Sequence, residues 1–139
     1  MNITAVRDAL ADSIFSITGL RTDGQARDQV TPPCCVIIPG QPYLNYSDTM
    51  DGALTCNLVV LVIISDAAPV DATQRALDTY LGVGEDTDAT SVPTAIEANN
   101  TLDGLIHYIQ ANTATSYGRI EYAGVTYFGA RINCVIGAI

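Results

Sequence analysis

The stretch Leu58 to Ile64 is seven consecutive apolar residues, Leu-Val-Val-Leu-Val-Ile-Ile, and it constrains the chain more than any other segment. It is far short of the roughly 20 residues needed to cross a bilayer as a helix. Its β-branched content favours an extended conformation. An extended run that is apolar at every position has no side to turn to water, so it must be a strand covered on both faces. The run continues a longer strand, Ala53 to Ser65. There Leu54, Cys56, Leu58, Val60 and Val62 alternate with Thr55, Asn57, Val59, Leu61 and Ile63, so the first half is half-exposed and the second fully enclosed.

The rest of the chain has to supply that cover. Asn2 to Ile17 reads as an amphipathic helix, with Ile3, Val6, Leu10, Ile14 and Ile17 on one stripe, Asp8 and Asp12 opposite, and Gly19 as a stop. Leu20 to Pro33 is polar and reads as mostly loop, with room for a short strand at its start. Cys34 to Ile38, bounded by Pro33 and Pro39-Gly40, is a second buried strand, and Gln41 to Tyr46 continues it past a kink. Ser47 to Gly52 is a polar turn. Asp71 and Gln74 have capping-box spacing and open a helix with Leu77, Tyr80 and Leu81 inward and Gly82 at its end. Gly84 to Ala89 is an acidic loop. Ser91 caps a short helix through Glu97, with Pro93 in its first turn. Leu105 to Gln110 reads as a strand, and Tyr117 to Tyr122 with Thr126 to Ile136 as a hairpin about Ala123-Gly124. The expected architecture is one α+β domain over residues 1–139: a mostly antiparallel sheet, with an N-terminal helix and one or two further helices packed on one side.

Charge narrows the partners. Fifteen acids, twelve of them Asp, face six Arg and no Lys, leaving a net charge of -9. Such a surface repels phosphate, so nucleic acid is not expected as an adhesive partner. Arg7, Asp8 and Asp12 interrupt the N-terminus where a signal peptide would need its apolar core, which points to a cytoplasmic origin and reduced thiols.

Neither metal nor cofactor chemistry is expected. Cys34 and Cys35 are adjacent in a strand and so point to opposite faces; Cys56 and Cys134 are isolated in other strands, and no CxxC or Cys/His spacing exists. His107 is the only histidine. As a general base it would need Asp103 to orient it and Ser116 or a thiol to activate, but no nucleophile elbow surrounds any serine. Asp86 and Asp88 lack the alternating ligands and closing Glu of a calcium loop. Gly82-Val83-Gly84 follows a helix, not a strand, and so cannot act as a dinucleotide loop. The expectation is a non-enzyme.

The aromatic set is skewed toward Tyr, with seven against two Phe and no Trp. Tyr joins an apolar ring to a polar tip, which suits protein contacts. Tyr43, Tyr46, Met50, Tyr117 and Tyr122, in or beside the proposed turns, are the candidate assembly contacts.

The order and texture of these segments resemble the tail terminator proteins of long-tailed, siphovirus-type bacteriophages, particularly those infecting actinobacteria. The likeness is carried by the helix ending Ile17-Thr18-Gly19-Leu20 and by Val30-Thr31-Pro32-Pro33 leading into Cys34 to Gly40. It continues through Tyr46 to Gly52, Ala76-Leu77-Asp78-Thr79-Tyr80-Leu81, Ser91-Val92 with Ala95-Ile96-Glu97, and Thr101-Leu102-Asp103-Gly104. Tyr117-Gly118 and Tyr122 to Arg131 complete it. The resemblance implies a virion protein, assembled in the host cytoplasm. It would form a homohexameric ring on the last ring of the tail tube protein, stop its polymerisation, and dock the head connector or stopper protein. DNA would pass through the ring without specific binding, and no membrane is involved. Glu85, Asp86 and Asp88 are candidate acids for the ring's lumen. Two other readings stand beside it: another head–tail component, such as a stopper or neck protein, and a small acidic hydrolase or ligand-binding domain. A connector adaptor would be mostly helical and a stopper mostly a small barrel; the hydrolase would need a convergent polar pocket.

Overall fold

The computed structural model describes residues 2–25, 30–46, 54–65, 71–83 and 90–137. Its elements run α1 (Ile3–Thr18), β1 (Arg21–Asp23), β2 (Cys34–Asn45), β3 (Thr55–Ser65), α2 (Asp71–Leu81), α3 (Val92–Ala98), β4 (Tyr108–Tyr122) and β5 (Val125–Gly137). The strands form one sheet in the order β1-β2-β3-β5-β4. β1 pairs parallel with β2, and every other pairing is antiparallel. The fold is α+β, with a mixed sheet that is antiparallel except at its β1 edge.

The most apolar strand sits in the middle. β3 is hydrogen-bonded to β2 on one side and β5 on the other, and its two faces meet different partners. Cys56, Leu58, Val60, Val62 and Ile64 join β5 residues Phe128, Ala130, Ile132, Cys134 and Ile136 in the main core. All three helices close that core from one side, through Val6, Leu10 and Ile14 of α1, Leu77 of α2, and Val92, Ala95 and Ile96 of α3. The alternate residues Val59, Leu61 and Ile63 face away from the helices and form a second cluster with Cys34, Val36, Ile120 and Tyr127.

The end of the β4–β5 hairpin builds this second cluster. Gly118 and Gly129 are directly opposed in the ladder, and the register shifts between Thr115 and Gly118. Ser116 and Gly118 both adopt positive φ, at 56° and 130°. At Gly129 a Cβ would run into the carbonyl oxygen of Val62 and lie 2.9 Å from Ile120 Cδ1. Only glycine lets the hairpin approach β3 this closely, and beyond that point Ile120 and Tyr127 cover the outer face. The hairpin turns at Ala123 and Gly124, both at positive φ, as a tight two-residue turn requires.

The helix ends obey local chemistry. Asn2 Oδ1 accepts from the Ala5 N–H at 3.1 Å, and Gly19, at φ 73°, donates its N–H to the Phe15 carbonyl at 2.9 Å. Ser91 Oγ accepts from the Thr94 N–H at 3.2 Å as the cap of α3. Arg7 ties α1 to the sheet by donating to the carbonyls of Gly24 and Ile37, both at 2.7 Å.

Two expectations are corrected at the C-terminal end. Leu105 to Gln110 is a strand only in its second half; residues 101–105 form turns, and β4 begins at Tyr108. Leu102, Asp103 and Gly104 take positive φ, Asn99 and Asp103 hydrogen-bond to each other, and Leu102 and Ile106 anchor the turn in the core. Apolar residues four apart serve there as anchors of a turn, not as one side of a strand. His107 accordingly lies just before β4 rather than inside a strand. The second correction is that the last strands number two, not three. β4 runs unbroken through Ala111 to Ser116, a small, polar, exposed stretch whose extended form is set by its ladder with β5.

Candidate functional site

The residues singled out for chemistry are kept apart by the fold. His107 lies one residue before β4, where its backbone N–H donates to the Gly137 carbonyl at 2.8 Å, and its ring meets Tyr108 edge-on. Ser116 lies nine residues further on, within β4, which at the usual strand rise places it roughly 30 Å away. No dyad can form between them. Asp103 is engaged with Asn99 in the turn. Asp86 and Asp88 lie outside the described residues, as do Gly84 and Glu85.

The four cysteines are free and buried. Cys34 belongs to the outer cluster, and Cys35 to the main core. Burial, with the charge of Asp23 adding to it, pushes the Cys34 thiol up to about 11. Burial pushes Cys134 up to about 12, with the charge of Glu97 adding to it, and raises Cys35 and Cys56 as well. Thiols held in the protonated form are packing groups, not nucleophiles. Among the described residues no group of three His, Cys, Asp or Glu could hold a metal ion, and no helix is long and apolar enough to span a membrane.

The four candidate tyrosines fall into two sets at opposite ends of the sheet. Tyr43 and Tyr46 close β2, at the end where Asn45 aligns with Thr55, Gly137 and Tyr108 across the strands. Tyr46 is 66% exposed, whereas Tyr43 packs partly on the main core. Tyr108 and Leu105, which sequence reasoning passed over, are also exposed at this end. Tyr117 and Tyr122 lie toward the hairpin tip. The Tyr117 ring stands edge-on to Phe128 at 5.7 Å, and its hydroxyl donates to the Gln74 carbonyl of α2 at 3.4 Å. Desolvation, then the Asp78 hydrogen bond and charge, raise its pKa. Tyr122 packs partly on the outer cluster. Met50 and its neighbours from Ser47 to Gly52, expected as a turn, lie outside the described residues.

Charge is divided between the two sides of the molecule. The helical side exposes Asp8, Asp12, Asp71, Asp78, Glu97 and Asp103. Of the arginines on that side, Arg75 is paired with Asp71 at 2.8 Å, Arg7 is spent on backbone carbonyls, and Arg119 of β4, across from Phe128, is exposed. Strands β2 to β5 present no carboxylate on the outer face among the described residues. Asp23, on that side of β1, is buried. The outer face carries instead a polar ladder. Asn133 Nδ2 donates to Thr113 Oγ1 at 2.9 Å and to Thr115 Oγ1 at 3.2 Å, and half-buried Arg131 stands directly across from Thr115. Asn57, which donates to the Pro42 carbonyl at 2.7 Å, joins Gly40, Thr113 and Asn133 in lining a shallow groove of about 270 Å³. No spacing rule pointed to this ladder; the strand register assembles it.

Compared with known proteins, the chain matches no family model, and no curated protein matches it.

Proposed function

We propose that this is a structural virion protein, the ring-forming terminator of a long-tailed phage. In this reading it caps the tail tube, stops its polymerisation and joins the tail to the head connector or stopper. The observation that carries the reading is the sequence of elements. A capped N-terminal helix, a central strand enclosed on both faces, two short helices and a long terminal hairpin follow one another in the order that the tail-terminator resemblance implies. Two chemically unlike sides support it further, because a closed ring is built from heterologous contacts, in which one surface of each copy meets a different surface of the next. The separation of His107 from Ser116 and the raised cysteine pKa values weigh against the hydrolase alternative. The three-helix layer weighs against a stopper built as a small barrel.

In a ring of six copies, each at -9, an acidic lumen would let DNA slide without sticking. Glu85, Asp86 and Asp88 are the acids to test there. The direct test of the reading is to add the purified protein to polymerising tube protein of the same phage. A terminator arrests elongation and is found only at tube ends; uninterrupted growth, or binding along the tube wall, would refute it.

A further inference from the structure

We propose that the outer sheet face around Arg131, Thr113 and Thr115 of one copy docks the acidic outer surface of α1, through Asp8 and Asp12, of a second copy. The inference rests on the ring reading and names the two surfaces that would meet in it.

The outer face is a built donor set. Thr113 and Thr115 each accept from the Asn133 amide, so each hydroxyl still has its own proton to donate. The Arg131 guanidinium, opposite Thr115 and beside Leu61 of β3, makes no hydrogen bond or ion pair among the described residues. A half-buried guanidinium in mid-sheet, with rigid donors next to it and, among the described residues, no carboxylate on that face of β2 to β5, calls for an anionic acceptor from outside.

The same chain supplies one. Asp8 and Asp12 are exposed on successive turns of α1, and neither has a hydrogen bond or ion pair among the described residues. Successive turns place them about 6 Å apart. Thr113 and Thr115 point to the same face two residues apart, a spacing of about 6.6 Å. Two carboxylates on one helix can therefore meet two neighbouring rungs of the ladder. Phe15, 55% exposed one turn beyond Asp12, adds apolar area at the same surface. Within one molecule the two surfaces lie on opposite sides of the sheet, so the contact is between copies and propagates from one to the next.

The test is concentration-dependent amide chemical-shift mapping of the full chain, with arms for wild type, Arg131→Glu, Asp12→Arg and the double variant. Wild type should show shifts at Thr113–Thr115 and Arg131 together with Asp8–Phe15, growing toward ~1 mM and shrinking as salt rises. Each single reversal should weaken the association at least about tenfold, and the double variant should recover it. A Thr115→Val variant, which keeps the charge and the strand, should weaken it by a smaller factor. The proposal is overturned by shifts on any other surface, by no shifts at the highest concentration, or by a double variant no better than the singles. Arrest of tube growth that persists in Arg131→Glu would overturn this contact and leave the terminator reading standing. A mapped contact in a protein that does not arrest tubes would do the reverse.

Discussion

Replacing Gly129 with alanine should destabilise the protein, against the usual direction for a glycine in a strand. Alanine in place of a strand-interior glycine ordinarily gains about 0.5–1 kcal/mol, because the unfolded chain loses less entropy. At Gly129 the new methyl would meet the Val62 carbonyl oxygen, with Val62 C at 3.0 Å and Ile120 Cδ1 at 2.9 Å. The Ile120 methyl can swing aside, but the carbonyl belongs to the central strand and moves only if β3 and β5 separate. Overpacking of this kind costs about 1–3 kcal/mol, and each ladder hydrogen bond stretched by the separation adds about 1 kcal/mol. The expected net loss is about 2–4 kcal/mol. In urea unfolding, with a slope of about 1–3 kcal/mol/M, the midpoint should fall by roughly 1–2 M with little change in slope. Gly124→Ala is the comparison. Nothing lies within reach of a Cβ there, so its positive φ alone should cost about 1–2 kcal/mol. A Gly129→Ala protein as stable as wild type would mean that the hairpin does not press on β3, and the account of the outer cluster would fail.

Leu61→Ala should cost about 2–5 kcal/mol in the same assay, as expected for a side chain enclosed on the outer face; a loss under about 0.5 kcal/mol would indicate an open face. Ser91→Ala should cost about 1 kcal/mol and up to 2, because the α3 N–H that Ser91 caps loses its partner; unchanged stability would show that the cap is dispensable. With folded thiols raised above their ordinary value of 9.0, the unfolded chain releases protons first, so stability should fall as pH rises from 9.0 toward 11, through the Cys34 value. Thiol-reagent titration should find the four thiols shielded in the native protein and all four reactive in denaturant; stability flat or rising above pH 9 would contradict their burial.

Elements with periodic apolar residues or strong caps were legible in the chain. Val6, Leu10 and Ile14 mark α1, Ser91 marks the start of α3, and the apolar run from Leu58 identifies the central strand, because burial on both faces leaves an unmistakable composition. Ala111 to Ser116 was not legible, since an exposed edge strand needs no apolar alternation and takes its conformation from β5. The turn at Leu102 to Gly104 was hidden for the opposite reason: Leu102 and Ile106 are apolar, as strand residues are, yet they anchor a turn. The candidate surface was only half visible. Tyr46 and Tyr117 stand exposed at the two ends of the sheet, while Tyr43 and Tyr122 are partly packed inward. The Arg131–Thr115–Thr113–Asn133 ladder joins two strands through their register, which no spacing within either strand encodes.

The central claim is a ring at the end of a tail tube, and a cryo-electron microscopy reconstruction of capped tube ends tests it most directly. Tubes assembled with this protein should show one terminal layer of six copies in a closed six-fold ring with an open central channel. A terminal layer of three-fold or twelve-fold symmetry, or tube ends carrying no density for this chain, would contradict the account.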